Sequence, residues 1–163
     1  MSRMRCRGCS LGAELSDSQV HHLSDADATE ALGAWLWREL GNRYGYRAVV
    51  FLSGDLGAGK TTLVRGLLHA AGHEGVVKSP TYTLLEPYNI GELEVFHFDL
   101  YRVNDPVELE FVGIDEIVDG PGVKLFEWPE RAADWLPAPQ VHVRLEVDPA
   151  TVPPARRAHV EFS

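Results

Sequence analysis

The chain has 163 residues, of which 45% are hydrophobic and 24% charged, and this composition is typical of one globular domain with its own core. Its formal net charge of −9, from 24 acidic and 15 basic residues, argues against a large direct nucleic-acid surface, which needs a basic face. No apolar run reaches the ~18 residues of a membrane span, and the N-terminus lacks a secretory signal pattern, so we expect a cytoplasmic protein.

The first 22 residues contain glycine, serine and arginine without periodicity. We expect a flexible extension here, followed by one domain over residues 23–163. Cys6 and Cys9 form a single C-x-x-C pair in this extension. His21 and His22 could complete a zinc site with them, but adjacent histidines are an unusual ligand spacing, and we favour a loose tail.

A first helix is predicted from Ser24, where acidic residues suit the N-terminal end and apolar residues recur at helical spacing until Gly41. Residues 47–54 (RAVVFLSG) predict a strand that is buried on both faces. A glycine-rich loop follows, and the next helix covers residues 61–71, with Gly72 closing it.

The second half of the chain predicts further strands and short helices. Apolar and polar residues alternate on both sides of residues 89–91, which indicates a hairpin. Asp105, followed by a proline and an acid three positions later, predicts a helix start. The other predicted elements are a short helix over 115–118, a buried strand over 123–128, a helix over 129–136, and strands over 140–147 and 158–162.

The glycine-rich loop satisfies the phosphate-loop pattern G-x-x-x-x-G-K-[ST]. The loop amides and the positive N-terminal end of the following helix are suited to bind a phosphate chain. Lys60 is placed to bind the outer phosphates, and the Thr61 hydroxyl is placed to bind magnesium. A plain turn between strand and helix is the alternative, but the buried strand before the loop and the helix after it favour a nucleotide site. The predicted nucleotide-binding residues are Gly54, Asp55, Leu56, Gly57, Ala58, Gly59, Lys60, Thr61 and Thr62.

Two acids are candidates for holding the metal. Asp99 ends the apolar run VFHFD and Glu127 ends VKLFE, and strand ends are where open α/β sheets bind ligands. Either acid fits the role, and a solvated strand end is the alternative for each. The chain lacks the N/T-K-x-D pattern of guanine readers, and D-x-x-G at residues 119–122 has no strand before it, so we expect ATP.

Four segments, GDLGAGKTT, KSPTYTLLEPY, FHFDLYR and LFEWPER, occur in the order found in one family. From about residue 23 to its end the chain resembles the TsaE family, small ATPases needed for threonylcarbamoyl-adenosine modification of tRNA. The resemblance implies a single α/β domain of the P-loop NTPase type, with a mixed sheet and helices on both faces. It also implies ATP and Mg²⁺ as cofactors and TsaD and TsaB as partners, with tRNA reached indirectly through their complex.

The resemblance also assigns roles to residues. Lys60, Asp99 and Thr81 are the implied catalytic residues, with Asp99 or Thr81 near the attacking water. Thr61 and Glu127 are the implied magnesium ligands, Glu127 either directly or through water. Residues 79–83 (SPTYT) resemble the family's switch loop, which ATP would order for docking on TsaD.

Several residues keep two interpretations. Trp128 is a family feature close to the nucleotide, but it could equally be part of the core. We expect His97 to be a packed strand residue rather than a base. Tyr101 and Arg102 either fix the strand end or contact the partner. Residues 26–29 and the C-terminal arm near Arg156 are candidates for approaching the adenine.

Two other functions compete with a partner-dependent ATPase. A small P-loop kinase acting on a metabolite would need an arginine-bearing lid and a substrate insertion, for which the chain has little length. A module that holds a nucleotide without hydrolysing it would keep ATP intact in its complex. All three functions would use the phosphate loop, so only analysis of the reaction products separates the two alternatives from the ATPase.

Overall fold

The computed structural model describes residues 17–163, which form one mixed seven-stranded sheet with helices on both faces. The predicted single-domain α/β fold is therefore confirmed. The strands are β1 (Asp17–Leu23), β2 (Ala48–Ser53), β3 (Leu85–Ile90), β4 (Leu93–Asp99), β5 (Val123–Glu127), β6 (Val141–Asp148) and β7 (Ala155–Phe162). The helices are α1 (Ala26–Tyr44), α2 (Lys60–Ala71) and α3 (Ile114–Asp119), with 3₁₀ segments at Pro106–Val112 and Pro129–Trp135.

The sheet order is β1-β7-β6-β2-β5-β4-β3, with a parallel centre and antiparallel edges. β2 is parallel to β5 and β6, and β4 is parallel to β5. Every residue of β5 is buried, as expected for an apolar strand covered on both faces. The carboxyl ends of β2, β4 and β5 consequently meet at one edge of the sheet, where ligands bind in this fold class.

Each face of the sheet carries its own apolar cluster. On one face, α1 and α2 contribute fully buried leucines, among them Leu36, Leu40, Leu63 and Leu67. On the other face, Leu109 and Ile114 come from the 3₁₀ segment and α3, and Phe98 stacks on Phe126 with ring centroids 4.6 Å apart. The strand ends are thus held between two packed layers.

Two glycines bring the backbones of α1 and α2 into direct contact. A Cβ on Gly66 would lie 2.0 Å from the carbonyl oxygen of Glu30, and one on Gly33 would lie 2.1 Å from that of Leu63. Both distances are far inside van der Waals contact, so neither position has room for a side chain. This contact sets the position of α2, whose first residue is Lys60.

The N-terminal boundary that we predicted is wrong for residues 17–22. These residues belong to β1, which pairs antiparallel with β7 from Asp17 opposite Phe162 to Leu23 opposite Arg156. The strand was missed because it is an edge strand of mixed polar sequence, and its hydrogen bonds come from a segment more than a hundred residues later. Cys6 and Cys9 lie outside the described residues.

The first helix continues past Gly41 and ends at Tyr44, where Gly45 caps it in a left-handed conformation. Gly41 leaves space for the ring of Tyr46, which would lie 2.4 Å from a Cβ at that position. The Tyr46 ring stacks on Trp37 at 4.3 Å. Gly41 is therefore a packing position, and the predicted stop at this residue is wrong.

Most other predicted elements are confirmed, with small shifts at their ends. β3 and β4 form the expected hairpin, and Asp105 forms a capping box with Glu108. The segments at Pro106–Val112 and Pro129–Trp135 are 3₁₀ rather than α-helical. Within residues 17–163, no helix combines the length and apolar character needed to cross a membrane.

Candidate functional site

A cavity of about 340 Å³ opens at the carboxyl edge of the sheet, between the phosphate loop and the ends of β4 and β5. Loop residues Ser79 and Thr81 form another wall, and Arg156 reaches the cavity from β7. The predicted site residues that line it are Leu56, Gly57, Gly59, Lys60, Thr61, Thr62, Thr81, Asp99, Glu127 and Trp128. Gly54 and Asp55 contact the site through their carbonyls, whereas Ala58 is fully buried in the core.

The phosphate loop has a conformation that needs its glycines. Gly54 has φ 144°, and a Cβ there would lie 2.4 Å from the carbonyl oxygen of Leu145. Gly59 has φ 106° and immediately precedes α2, whose first amides have no side-chain cap within the described chain. An uncapped helix start that follows a glycine loop is a favourable position for an anion.

Lys60 is bound to its own loop. Its Nζ donates to the carbonyl oxygens of Gly54 at 2.5 Å and Asp55 at 3.0 Å, and the side chain is almost completely buried. Burial lowers the pKa of Lys60, while the nearby carboxylates of Glu127 and Asp99 act in the opposite direction. The ammonium group is thus poorly solvated and donates to neutral carbonyls, and a phosphate anion would give it a charged acceptor.

Trp128 holds a left-handed backbone conformation, with φ 58°, which is uncommon for a bulky residue and often marks a functional site. Its ring lies 4.1 Å from the Lys60 Nζ and 5.0 Å from the Tyr101 ring. The ring also packs against the apolar cluster around Phe98. Trp128 therefore serves both as a wall of the cavity and as part of the core.

Glu127 connects the phosphate loop to the sheet. Its Oε1 accepts hydrogen bonds from the Thr61 hydroxyl at 2.9 Å and from His97 Nε2 at 2.8 Å. Since a carboxylate can only accept, Nε2 carries the proton of the imidazole. His97 is fully buried, as predicted for a packed strand residue, but it also orients the carboxylate, which we did not predict.

The oxygen groups of Thr61 and Glu127 fit Mg²⁺, which prefers hard oxygen ligands. Among residues 17–163, no cluster of three or more His, Cys, Asp or Glu side chains could hold a metal by itself. In phosphate-loop proteins magnesium takes one or two protein ligands and completes its shell with phosphate oxygens. Asp99 lies beside Glu127, since the two residues are partners in the β4–β5 ladder.

Asp99 holds the loop that resembles a switch. Its Oδ2 accepts hydrogen bonds from the hydroxyls of Ser79 and Thr81, the latter at 2.7 Å, and its Oδ1 accepts from the Tyr101 amide at 3.0 Å. Asp99 is almost completely buried. Each carboxylate oxygen thus accepts at least one hydrogen bond from the protein itself.

The tip of this loop faces solvent. The Tyr82 side chain is 84% exposed, and the Arg102 guanidinium lies 4.3 Å from its ring centroid. Of the two residues whose roles we left open, Arg102 supports the loop tip and Tyr101 lines the cavity beside Trp128. A large exposed aromatic side chain on a loop is the kind of group that interfaces use.

Sequence reasoning missed the contact that Arg156 makes. We expected the C-terminal arm to approach the adenine, and the structure places the Arg156 guanidinium on the carbonyl oxygens of Gly57 and Ala58. Thr29, from the other segment expected near the adenine, lies against Gly59. Only the pairing of β7 with β6 and β1 brings Arg156 here, and no local pattern encodes that pairing.

The fold and the phosphate loop define the class: this is a P-loop-type nucleotide-binding protein with a mixed α/β sheet. The family model for the threonylcarbamoyl adenosine biosynthesis protein TsaE matches residues 23–157, and the chain belongs to the TsaE family. The resemblance predicted from four short segments is therefore confirmed.

Relatives and a solved structure agree with this assignment. The chain is 52% identical over 98 residues to the tRNA threonylcarbamoyladenosine biosynthesis protein TsaE of Haemophilus influenzae, and 42% identical over 95 residues to that of Bacillus subtilis. The first match covers 60% of the chain and 62% of the Haemophilus influenzae protein. The second covers 58% of the chain and 59% of the Bacillus subtilis protein, so each match spans less than two thirds of the relative. The crystal structure of Bacillus subtilis YdiB superposes with a TM-score of 0.68 at 25% identity, covering 92% of this chain and 88% of that one.

Proposed function

We propose that this chain is an ATP-binding and ATP-hydrolysing subunit needed for N6-threonylcarbamoyl modification of adenosine in tRNA. In this proposal it is a cytoplasmic, nucleotide-driven switch on the TsaB–TsaD complex and contacts tRNA through that complex. Family membership supports the pathway. The observation that carries the nucleotide chemistry is the juxtaposition of Lys60, Thr61 and Glu127 at the mouth of one phosphate loop.

Lys60 supports anion binding in this proposal. In the structure its ammonium group donates to two loop carbonyls and lies under the Trp128 ring. A triphosphate would offer charged acceptors in place of neutral ones, and hydrogen bonds between charged groups are the stronger ones. Charge on the leaving diphosphate would then be neutralised by Lys60 and the loop amides, which lowers the barrier electrostatically.

Thr61 and Glu127 would hold Mg²⁺ in this proposal. Bound magnesium neutralises phosphate charge and orients the phosphate chain for in-line attack. His97 keeps the Glu127 carboxylate turned toward Thr61 by its hydrogen bond at 2.8 Å. Residues that hydrogen-bond to a metal ligand, as His97 would, commonly control metal affinity.

The link between Asp99 and residues 79–81 supports a switch. The hydroxyls of Ser79 and Thr81 both donate to one oxygen of Asp99, so the carboxylate is engaged by the loop. For Thr81 to donate to a γ-phosphate, its hydrogen bond to Asp99 must break and this hydrogen-bonded set must rearrange. We infer that the rearrangement limits the intrinsic hydrolysis rate and that a partner docking on the exposed loop favours it.

The proposal is tested by measuring ATP hydrolysis with and without the TsaB–TsaD pair, together with multiple-turnover tRNA modification. Strong stimulation by the pair is expected, and a Lys60→Ala variant should lose both activities. Arg38→Ala, which removes an exposed cation from α1, is the matched control and should behave as the wild type. A Lys60→Ala protein that sustains repeated rounds of modification would refute the proposal.

The same assay separates the alternatives. A metabolite kinase would form ADP together with a phosphorylated acceptor, whereas the proposed ATPase releases ADP and inorganic phosphate in equal amounts. A module that only holds nucleotide would retain intact ATP in the assembled complex. Either of these product patterns would refute the proposed function and support the corresponding alternative.

A further inference from the structure

We propose that Arg156 is a positioning residue for the phosphate loop, holding the carbonyls of Gly57 and Ala58 so that the Gly59 amide is preorganised for phosphate. The inference rests on the proposed nucleotide-binding function and adds a residue that lies far from the loop in sequence. Arg156 is on β7, near the C-terminal end of the chain.

The contacts of Arg156 are unusual for a guanidinium. Its Nε donates to the Ala58 carbonyl at 3.2 Å, its Nη2 to the Gly57 carbonyl at 3.3 Å, and its Nη1 to the Pro154 carbonyl at 3.3 Å. All three acceptors are neutral. In the part of the chain that the structure describes, Arg156 forms no ion pair with a carboxylate. Its observed hydrogen bonds therefore go to backbone carbonyls, two of which belong to the phosphate loop.

The peptide geometry explains how these contacts orient the amides. In a trans peptide the C=O and N–H bonds point in opposite directions. The Ala58 carbonyl shares a peptide plane with the Gly59 amide, so fixing the oxygen on Arg156 points that N–H away from the guanidinium. Gly59 lines the cavity and immediately precedes α2, where an amide donor is useful for a phosphate.

The loop is thus held from two sides. Lys60 binds the carbonyls of Gly54 and Asp55 at the start of the loop, and Arg156 binds those of Gly57 and Ala58 at its tip. When a phosphate chain recruits the Lys60 ammonium, its bonds to Gly54 and Asp55 are released, whereas the bonds of Arg156 to Gly57 and Ala58 remain. A loop that keeps its shape without ligand loses less conformational entropy on binding, which increases affinity.

The edge of the sheet fixes Arg156 in this position. Its Cα is opposite Val147 of β6 on one side and Leu23 of β1 on the other. Leu23 is almost fully buried in the main core cluster. β1, which lies partly outside the domain that we predicted, therefore helps to place Arg156 at the nucleotide site.

The test compares Arg156→Ala and Arg156→Lys with Arg157→Ala, a control that removes the exposed arginine at the next position on β7. Calorimetry is run with Mg-ATP, Mg-ADP and Mg-tripolyphosphate. We expect Arg156→Ala to weaken all three by about tenfold, roughly the effect of one hydrogen bond to a charged group, and Arg156→Lys to recover part of the loss. The KM for ATP should rise while kcat stays unchanged, and the melting temperature without ligand should change little.

Three results would overturn the inference. Equal affinities for the wild type and both Arg156 variants would show that the carbonyl contacts do not organise the loop. A loss for ATP and ADP that is absent for tripolyphosphate would place the guanidinium on the base or ribose instead. A kcat that falls with KM unchanged would assign Arg156 to the chemical step. If the wild type itself fails to bind Mg-ATP, the proposed function is what fails, so the two failures are distinguishable.

Discussion

Replacing His97 isolates the hydrogen bond that orients Glu127. The imidazole is fully buried, and its Nε2 lies 2.8 Å from the carboxylate oxygen that also accepts from Thr61. His97→Leu fills a similar space and removes the donor, whereas His97→Gln can place an amide donor close to the position of Nε2. The difference between the two variants therefore measures the hydrogen bond rather than the packing.

The expected magnitude follows from burial. A hydrogen bond to a buried charged group contributes about 1.5–3 kcal/mol, and imperfect repacking adds about 1 kcal/mol, so His97→Leu should lose about 3 kcal/mol of unfolding free energy. For a protein of this size, that loss lowers the melting temperature by roughly 6–12 °C. His97→Gln should lose about 1 kcal/mol, because it keeps a donor for Glu127.

Two measurements check this expectation. Urea unfolding gives the free energies, and nucleotide binding at increasing Mg²⁺ gives the metal dependence. His97→Leu should need at least tenfold more Mg²⁺ for half-maximal nucleotide binding, since partners of metal ligands typically control affinity by 10–100-fold. His22→Gln, on the exposed side of β1, is the control. If the Leu and Gln variants match each other in stability and in Mg²⁺ dependence, the positioning role of His97 is wrong.

Three further predictions concern the helix contact, the switch loop and the effect of pH. Gly66→Ala should lose about 2 kcal/mol in urea unfolding, because the clash with the Glu30 carbonyl exceeds the gain in helix propensity. Asp99→Asn should slow hydrolysis by about 100-fold and increase amide hydrogen exchange at residues 79–83, since the loop hydroxyls lose their charged acceptor. Burial, followed by the charge of Arg144, lowers the pKa of His142 below its ordinary 6.5. The unfolded chain thus binds more protons at this site, so the stability contribution is complete above pH 6.5 and is lost as the pH falls below it.

Each of these predictions has an opposing result, and the helix prediction also has a control variant. Ala70→Gly, at an exposed position of α2, measures the propensity difference alone, and a Gly66→Ala protein as stable as the wild type would contradict the backbone contact. Unchanged exchange at residues 79–83 in Asp99→Asn would show that the carboxylate does not hold the loop. His142→Gln should flatten the acid side of the stability curve, and an unaltered slope would assign the effect to other groups.

The sequence was most informative where structure depends on neighbouring residues. The phosphate loop was predictable because its glycines, Lys60 and Thr61 are consecutive and their backbone requirements are local. Asp99 and Glu127 were predictable as site residues because each ends an apolar strand, where open α/β sheets bind ligands. Their pairing in the β4–β5 ladder came from the structure. Four short segments in a fixed order were enough to predict the family.

The sequence was least informative where the role of a residue depends on what packs against it. A glycine such as Gly41 is typical of a helix C-terminus, but here the Tyr46 ring fills the space that the glycine leaves, and α1 continues. His97 was predicted only as a packed strand residue, because its hydrogen bond depends on the register between β4 and β5. In both cases the deciding contact comes from another element.

For this protein the sequence alone determined the central strand, the phosphate loop, the helix after it and the two acids that end apolar strands. The tertiary structure alone decided that Asp17–Leu23 is a strand, that Arg156 binds the loop carbonyls, and that Asp99 holds residues 79 and 81. Local backbone conformation depends mainly on adjacent residues, so the sequence predicts it directly. Contacts between distant segments depend on which strands pair and which side chains are buried together, and those follow from the packing of the whole chain.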